Sequence, residues 1–191
     1  MIRSPVTRSA HARPLPGVLF FDSPGEAMQT RAWWAAVVRD LGLDRAPAPY
    51  ADGAFVALAA AGLAGCVALW TVLRADPRGS MLAGTMAWLG ALALQPMVEE
   101  TLFRGLLQGA LGRTAAGRRR AAGVSLANAV ASAAFVGVHL VHHSPGWALA
   151  TGPASLALGW LRERRGGTWS AILLHGVFNA EFFATAAIFA R

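Results

Sequence analysis

Residues 54–73 read AFVALAAAGLAGCVALWTVL, twenty consecutive positions without a charge, and an apolar run of about twenty residues is what a helix needs to cross a bilayer. Residues 81–98 (MLAGTMAWLGALALQPMV) form a second uncharged run that meets Glu99 and Glu100 and then continues apolar to Gly112. One helix kinked near Pro96 would carry this stretch. Further runs cover 123–142, 147–161 and 168–190, the fourth of them short and holding Gly and Pro. The composition agrees: 191 residues, 55% hydrophobic, only 14% charged, with a mean hydropathy of +0.44, against about 25% charged in soluble domains. The sequence therefore predicts an all-α, polytopic membrane helix bundle of about five to six transmembrane helices.

All 17 basic residues are Arg, against 10 acidic residues, so the net charge of +7 is permanent. A basic surplus can signal nucleic acid, but the apolar runs assign it to loops facing the cytoplasm, which retain Arg. No nucleic-acid partner is expected. Arg3, Arg8, Arg13, Arg31, Arg39 and Arg45 precede the first span; Arg113, Arg118, Arg119 and Arg120 follow the second; Arg162, Arg164 and Arg165 follow the fourth. The other side receives only Arg74, Arg78 and Arg191. This alternation predicts an N-terminus inside and a C-terminus outside. Trp70, Trp147, Trp160 and Trp169 fall near span ends and read as interfacial anchors.

Residues 1–53 form an expected cytoplasmic segment ahead of the transmembrane domain at 54–191. Their only early apolar run, Val18 to Phe21, is too short for a signal-peptide core. Ser23-Pro24-Gly25-Glu26 matches a capping box with Pro at the first helical position. Met28, Trp34, Val37, Val38 and Leu41 follow at helical spacing, predicting an amphipathic helix over about 24–43 on the cytoplasmic membrane face. The single Cys66 excludes an intramolecular disulfide, and its apolar setting reads as packing.

Ionisable groups inside spans are costly and mark function. Glu99, Glu100 and Arg104 sit at the end of the second run, His139 in the third, His175 and Asn179 in the fifth, with Glu181 beyond and without an assigned role. Glu100 and Arg104 are four apart and share a helical face, whereas Glu99 points about 100° away. One carboxylate can thus be neutralised while its neighbour stays available. Phe135 and His139 share a face, as do His175 and Asn179. A lone His in an apolar helix often only hydrogen-bonds a neighbouring helix. Two His on separate helices, an Asn and a glutamate pair together supply a base, a proton relay and neutral donors for an oxyanion. His142 and His143 read as interfacial loop residues.

Glu-Glu-x-x-x-Arg at 99–104, Phe-x-x-x-His at 135–139 and His-x-x-x-Asn at 175–179, in that order on successive spans, resemble the CPBP family of CAAX prenyl endopeptidases and bacteriocin-processing or immunity-associated proteins, the glutamic intramembrane proteases. The resemblance covers about 81–185, and GWLRERRGGTWSAILLHGVFN at 159–179 is similar to the family's last motif with its preceding loop. It implies that Glu99 polarises water together with His139. It further implies that His175 and Asn179 stabilise the oxyanion, and that Glu100 and Arg104, with Phe135, support the site. A zinc ion on Glu99, His139 and His175 would be the alternative; metal-free catalysis is preferred because Asn is a poor zinc ligand.

The implied activity is hydrolysis of a peptide bond in a membrane-associated peptide or protein, with the bilayer as the other partner. The Ala/Arg-rich, Lys-free composition points to a bacterial cytoplasmic (inner) membrane and away from prenylated substrates. Two other readings stand beside it: a non-catalytic member acting as immunity factor or scaffold, and a small transporter relaying protons through Glu and His. His-Glu-x-x-His, the zinc-protease signature, is missing. With straight helices, Glu99 would lie at the cytoplasmic end of its span and His139 about 20 Å from the end of its own. Their meeting requires a later start for the third span, an inward shift around Pro96, or a water-filled cavity.

Overall fold

The computed structural model describes residues 24–44, 52–72 and 84–191. Ser23 of the expected capping box, and Arg3, Arg8, Arg13, Arg45, Arg74 and Arg78, lie outside these residues. The chain divides into two compact units, Met1–Trp34 and Ala35–Arg191. Among the described residues there are six helices and a two-stranded hairpin.

Helix α1 spans Pro24–Asp40, and in its first unit Trp33 and Trp34 are exposed with their rings edge-to-face at 4.5 Å. It stops three residues before the expected 43 because Gly42 takes φ +69°. The Gly42 N–H then reaches the Arg39 carbonyl and the Leu43 N–H that of Val38, both at 2.9 Å. This is a Schellman end, which only a residue tolerant of left-handed backbone closes without strain. Helix α2, Gly53–Thr71, starts on Asp52, whose Oδ1 accepts the Ala54 N–H at 2.9 Å.

Helix α3 runs without a break in helical structure over residues 85–112, as one helix carrying the stretch through Pro96. It widens into π-helical turns at Gly90–Leu94 and Thr101–Gln108. The first accommodates the proline: the Gln95 N–H bonds the Gly90 carbonyl, five residues back, and the next such bond would need an N–H that Pro96 lacks.

The span expected from 123 begins instead with a hairpin. Strand β1 (Arg120–Ala121) pairs antiparallel with β2 (Val124–Ser125), and Ala122 and Gly123 both have positive φ, the signature of a tight primed turn. Helix α4 (Leu126–His142) follows, capped by Ser125 Oγ accepting the Asn128 N–H at 2.9 Å. Helix α5 covers Pro145–Arg165, with Pro at its start and Gly166 (φ +67°) at its end, so it is longer than the expected 147–161. Helix α6 is Trp169–Phe189.

Helix α6 packs against α2, α3 and α5, and α4 packs between α3 and α5. Leu158, Leu161, Ala171 and Leu174 form a small apolar cluster. Much of the remaining interior is polar: Glu100, Arg104, Gln108, Asn128 and Ser155 are fully buried, while Met86, Leu94, Val138 and Val141 point outward. An apolar exterior around a polar interior is the arrangement a bilayer favours. Helices α2 and α6 are each long and apolar enough to cross a membrane, and α4 is a shorter apolar helix.

Candidate active site

The site is organised by a buried arginine. Arg104 has no solvent exposure; its Nε donates to Glu100 Oε2 at 3.1 Å, as the four-residue spacing allows. Its Nη1 donates to Asn128 Oδ1 and Ser132 Oγ, and its Nη2 to Ser155 Oγ. One guanidinium therefore ties α3 to α4 and α5. Asn128 and Ser132 share a face of α4 four residues apart and also bond each other at 3.1 Å. These supporting residues were missed in the sequence, although Asn and Ser at that spacing in an apolar run are the signal that would have found them. A close crossing makes room for them: a Cβ on Gly159 would collide with Asn128 and lie 2.9 Å from Arg104 Nη1.

Glu100 serves two helices. Its Oε1 lies 2.9 Å from His175 Nδ1 on α6, and because a carboxylate held by Arg104 only accepts, that nitrogen donates. The other imidazole nitrogen, Nε2, faces Glu99 Oε2 at 3.8 Å. Glu99 is the more accessible carboxylate, its side chain 22% exposed against 0% for Glu100. Its Oε1 accepts Gln95 Nε2 at 2.9 Å, and its Oε2 has no hydrogen-bond partner. Two adjacent glutamates thus have different surroundings: one saturated by fixed partners, the other with a buried oxygen that has no hydrogen-bond partner, beside an imidazole.

His139 donates from Nδ1 to the Phe135 carbonyl at 2.9 Å, which leaves Nε2 as the acceptor whenever the ring carries a single proton. The Phe135 ring stacks on it at 4.4 Å and touches His175 at 6.0 Å, so Phe135 stands between the two imidazoles. His143 stacks on His139 at 5.7 Å and leads to Trp147 at 6.3 Å. His143 is an exposed residue of the turn after α4, as expected, with its ring against His139.

The expected difference in depth between Glu99 and His139 assumed straight helices with Glu99 at the cytoplasmic end of its span and a third span beginning at 123. Arg104 sets the register of α3 against α4 through Ser132. Glu99 lies five residues back along α3 and His139 seven residues onward along α4, about 7 and 10 Å in the same direction at 1.5 Å per residue. The two come to similar depth because α3 continues to Gly112 and α4 starts at Leu126.

Asn179 Nδ2 donates to the Ala91 carbonyl at 2.7 Å. Ala91 is five residues before Pro96, so Asn179 supplies the hydrogen bond that the proline cannot give to the π turn. The second Nδ2 hydrogen remains for another acceptor. Gly176, one turn earlier, lets α6 approach: a Cβ there would lie 2.7 Å from the Leu92 carbonyl.

Among the described residues, no group of three His, Cys, Asp or Glu side chains is gathered as a metal cluster. Glu99 and His175 are adjacent, but the zinc alternative with His139 is not assembled as a ready set.

No curated protein and no solved structure matches the chain. The family described as "Type II CAAX prenyl endopeptidase Rce1-like" matches residues 79–180, which takes in the arginine-centred cluster, both imidazoles and the asparagine on the π turn. Over more than half its length, and across every helix that contributes to this site, the chain belongs to the Rce1-like family of type II CAAX prenyl endopeptidases.

Proposed function

We propose that the protein is an intramembrane endopeptidase that hydrolyses a peptide bond in a membrane-associated peptide or protein with a water activated by Glu99 and His139. The observation that carries this reading is the His175 imidazole set between the two glutamates, 2.9 Å from Glu100 and 3.8 Å from the unpartnered oxygen of Glu99. Family membership supports a protease of the membrane.

In this mechanism Glu99 Oε2, with the lone pair of His139 Nε2, removes a proton from water. The resulting hydroxide adds to the scissile carbonyl carbon, and the π electrons move onto oxygen. The free Nδ2 hydrogen of Asn179, and His175 Nε2 when that ring carries both protons, donate to the oxyanion. Collapse breaks the C–N bond, and the proton held by Glu99 passes to the leaving nitrogen, giving a carboxylic acid and an amine. Glu100 and Arg104 position His175 without touching substrate.

The substrate is a lipidated C-terminus, a leader peptide or a C-terminal anchor, and the setting a bacterial inner membrane with the N-terminus in the cytoplasm. The test is cleavage of membrane-anchored reporter peptides by the protein in lipid, with Glu99→Gln and His175→Ala controls and a chelator arm. Cleavage that requires both residues and survives chelation is expected. Chelator-sensitive cleavage would reinstate zinc on Glu99, His139 and His175. Failure of a folded protein to cut a broad panel would favour the scaffold or immunity reading, and proton flux without cleavage the transporter.

A further inference from the structure

Where α3 ends and α4 begins, the second unit opens a cavity of about 520 Å³. Arg39, Arg113, Arg118, Arg120 and Arg162 line it against Asp40 and Glu163, five guanidiniums against two carboxylates, a surplus of three positive charges. Those carboxylates are already committed to partners. Glu163 is fully engaged, its Oε2 accepting Arg120 Nη2 at 2.7 Å and its Oε1 accepting Gln108 Nε2 at 2.8 Å and Ser125 Oγ. Asp40 stands 3.9 Å from Arg113 with both side chains exposed, a loose pair in high dielectric.

Of the other cations, Arg118 is held by backbone carbonyls and Arg162 carries an unpartnered Nε. Arg118 Nη1 donates to the carbonyls of Gly112 and Arg113 at 3.3 and 2.7 Å, which fixes the guanidinium at the cavity wall without cancelling its charge. Arg162 has a buried Nε with no acceptor. Burial pushes its pKa down, Glu163 pulls it up, and the like charges of Arg113 and Arg104 push it down again. Gly109 makes room for it, since a Cβ there would lie 2.9 Å from Arg162 Nη2. A buried guanidinium N–H without an acceptor, as at Arg162 Nε, is unfavourable unless an oxyanion completes it.

We propose that this cavity is a binding site for a phosphate-class anion, centred on Arg162 and Arg118 and delivered either as an anionic phospholipid headgroup or as a free phosphate compound. The volume exceeds what one carboxylate needs, and guanidiniums converging from the end of α1, the α3–α4 connection and α5 suit an anion with several acceptor oxygens. Basic pockets between the ends of membrane helices take phospholipid headgroups on the same grounds. The inference does not rest on the peptidase reading.

The experiment reads thermal stability of the full chain in nanodiscs. Inorganic phosphate is titrated into discs of neutral phosphatidylcholine, and in parallel phosphatidylglycerol replaces part of the lipid. Saturable stabilisation in one arm or both is expected, with affinity falling as ionic strength rises. Phosphate acting in neutral discs identifies a soluble ligand, and an effect confined to phosphatidylglycerol discs identifies a headgroup. Arg162→Gln should weaken the effect by about tenfold, the order of one lost charge-assisted contact. Gly112→Leu checks the result if that variant does not fold: Gly112 lines the cavity and a Cβ there meets nothing within 4 Å, so it fills the space without removing a charge. Stabilisation absent in both arms, or unchanged in Gly112→Leu, would overturn the proposal.

Discussion

Glu99 and Glu100 are chain neighbours whose substitutions should separate cleanly. Glu100 is the acceptor for both Arg104 and His175, so Arg104→Met removes the permanent cation from a fully buried carboxylate, leaves it only the His175 N–H, and should cost about 3–5 kcal/mol. Glu99→Gln keeps the shape and one accepting oxygen for Gln95 at a partly exposed position; its cost should stay below about 1 kcal/mol. Thermal unfolding in detergent reads both, and turnover reads the other half: Glu99→Gln should be folded and inactive. A Glu99→Gln protein that unfolds as readily as Arg104→Met would make Glu99 a structural member of the cluster. Asn179 combines the two kinds of role. Asn179→Ala strips the Ala91 carbonyl of its donor and should cost about 1–3 kcal/mol, the penalty of an unsatisfied buried acceptor. The π turn at Gly90–Leu94 should then exchange its amide hydrogens faster, whereas an oxyanion role alone would leave that exchange unchanged.

Between elements, glycine decides where helices can meet. At the α4–α5 crossing, Gly159 leaves no room for a Cβ beside Asn128 and Arg104, while at Gly152 the nearest atom, Val136 Cγ2, would be 3.7 Å away, ordinary contact. Gly159→Ala should therefore destabilise by about 1–3 kcal/mol through overpacking, and Gly152→Ala should be close to neutral. Equal melting temperatures for the two variants would show that α4 and α5 do not cross as closely as described. The same elements show what could be read in the sequence. The run at 54–73 fixed α2 to within two residues, because a long uncharged stretch admits one reading. The Glu100–Arg104 pair was readable because it lies within one helix. The hairpin at 120–125 was not, since Ala122 takes positive φ without being Gly or Asn. Nor was the π turn legible: hydrophobic pattern carries no mark of a widened turn, and the partner of its free carbonyl is 88 residues away. The Arg104 clamp joins three helices, and such long-range pairing has no local signature.

Across the whole second unit, the basic segments that are far apart in sequence come together at one end. Arg120 pairs with Glu163 at 2.7 Å, joining the α3–α4 connection to the end of α5. The Thr168 N–H reaches the Gly42 carbonyl at 2.7 Å, bringing in the turn after α1, and Arg165 approaches Asp52 at 3.5 Å, bringing in the start of α2. At the other end Trp88 near the start of α3 meets Phe183 near the end of α6 at 5.8 Å. Helices α2 to α6 therefore alternate in direction, and if all five cross the bilayer the Arg-rich end should face the cytoplasm, where retained Arg is favoured. The arrangement can be tested with Cys66→Ala as background, because Cys66 is the only cysteine. In intact cells a membrane-impermeant maleimide should label Ser144→Cys, between α4 and α5, and not Arg119→Cys or Arg164→Cys until the membrane is opened. All three positions are exposed in the fold, so a missing signal reports the membrane and not burial. The reverse pattern would put the arginine cavity outside the cell and so remove the phospholipid headgroups of the cytoplasmic leaflet as its source. Labelling of Ser144→Cys and Arg164→Cys from the same side would mean that α5 does not cross, and the depth of Glu99 and His139 would then have to be explained by a cavity reaching in from one face.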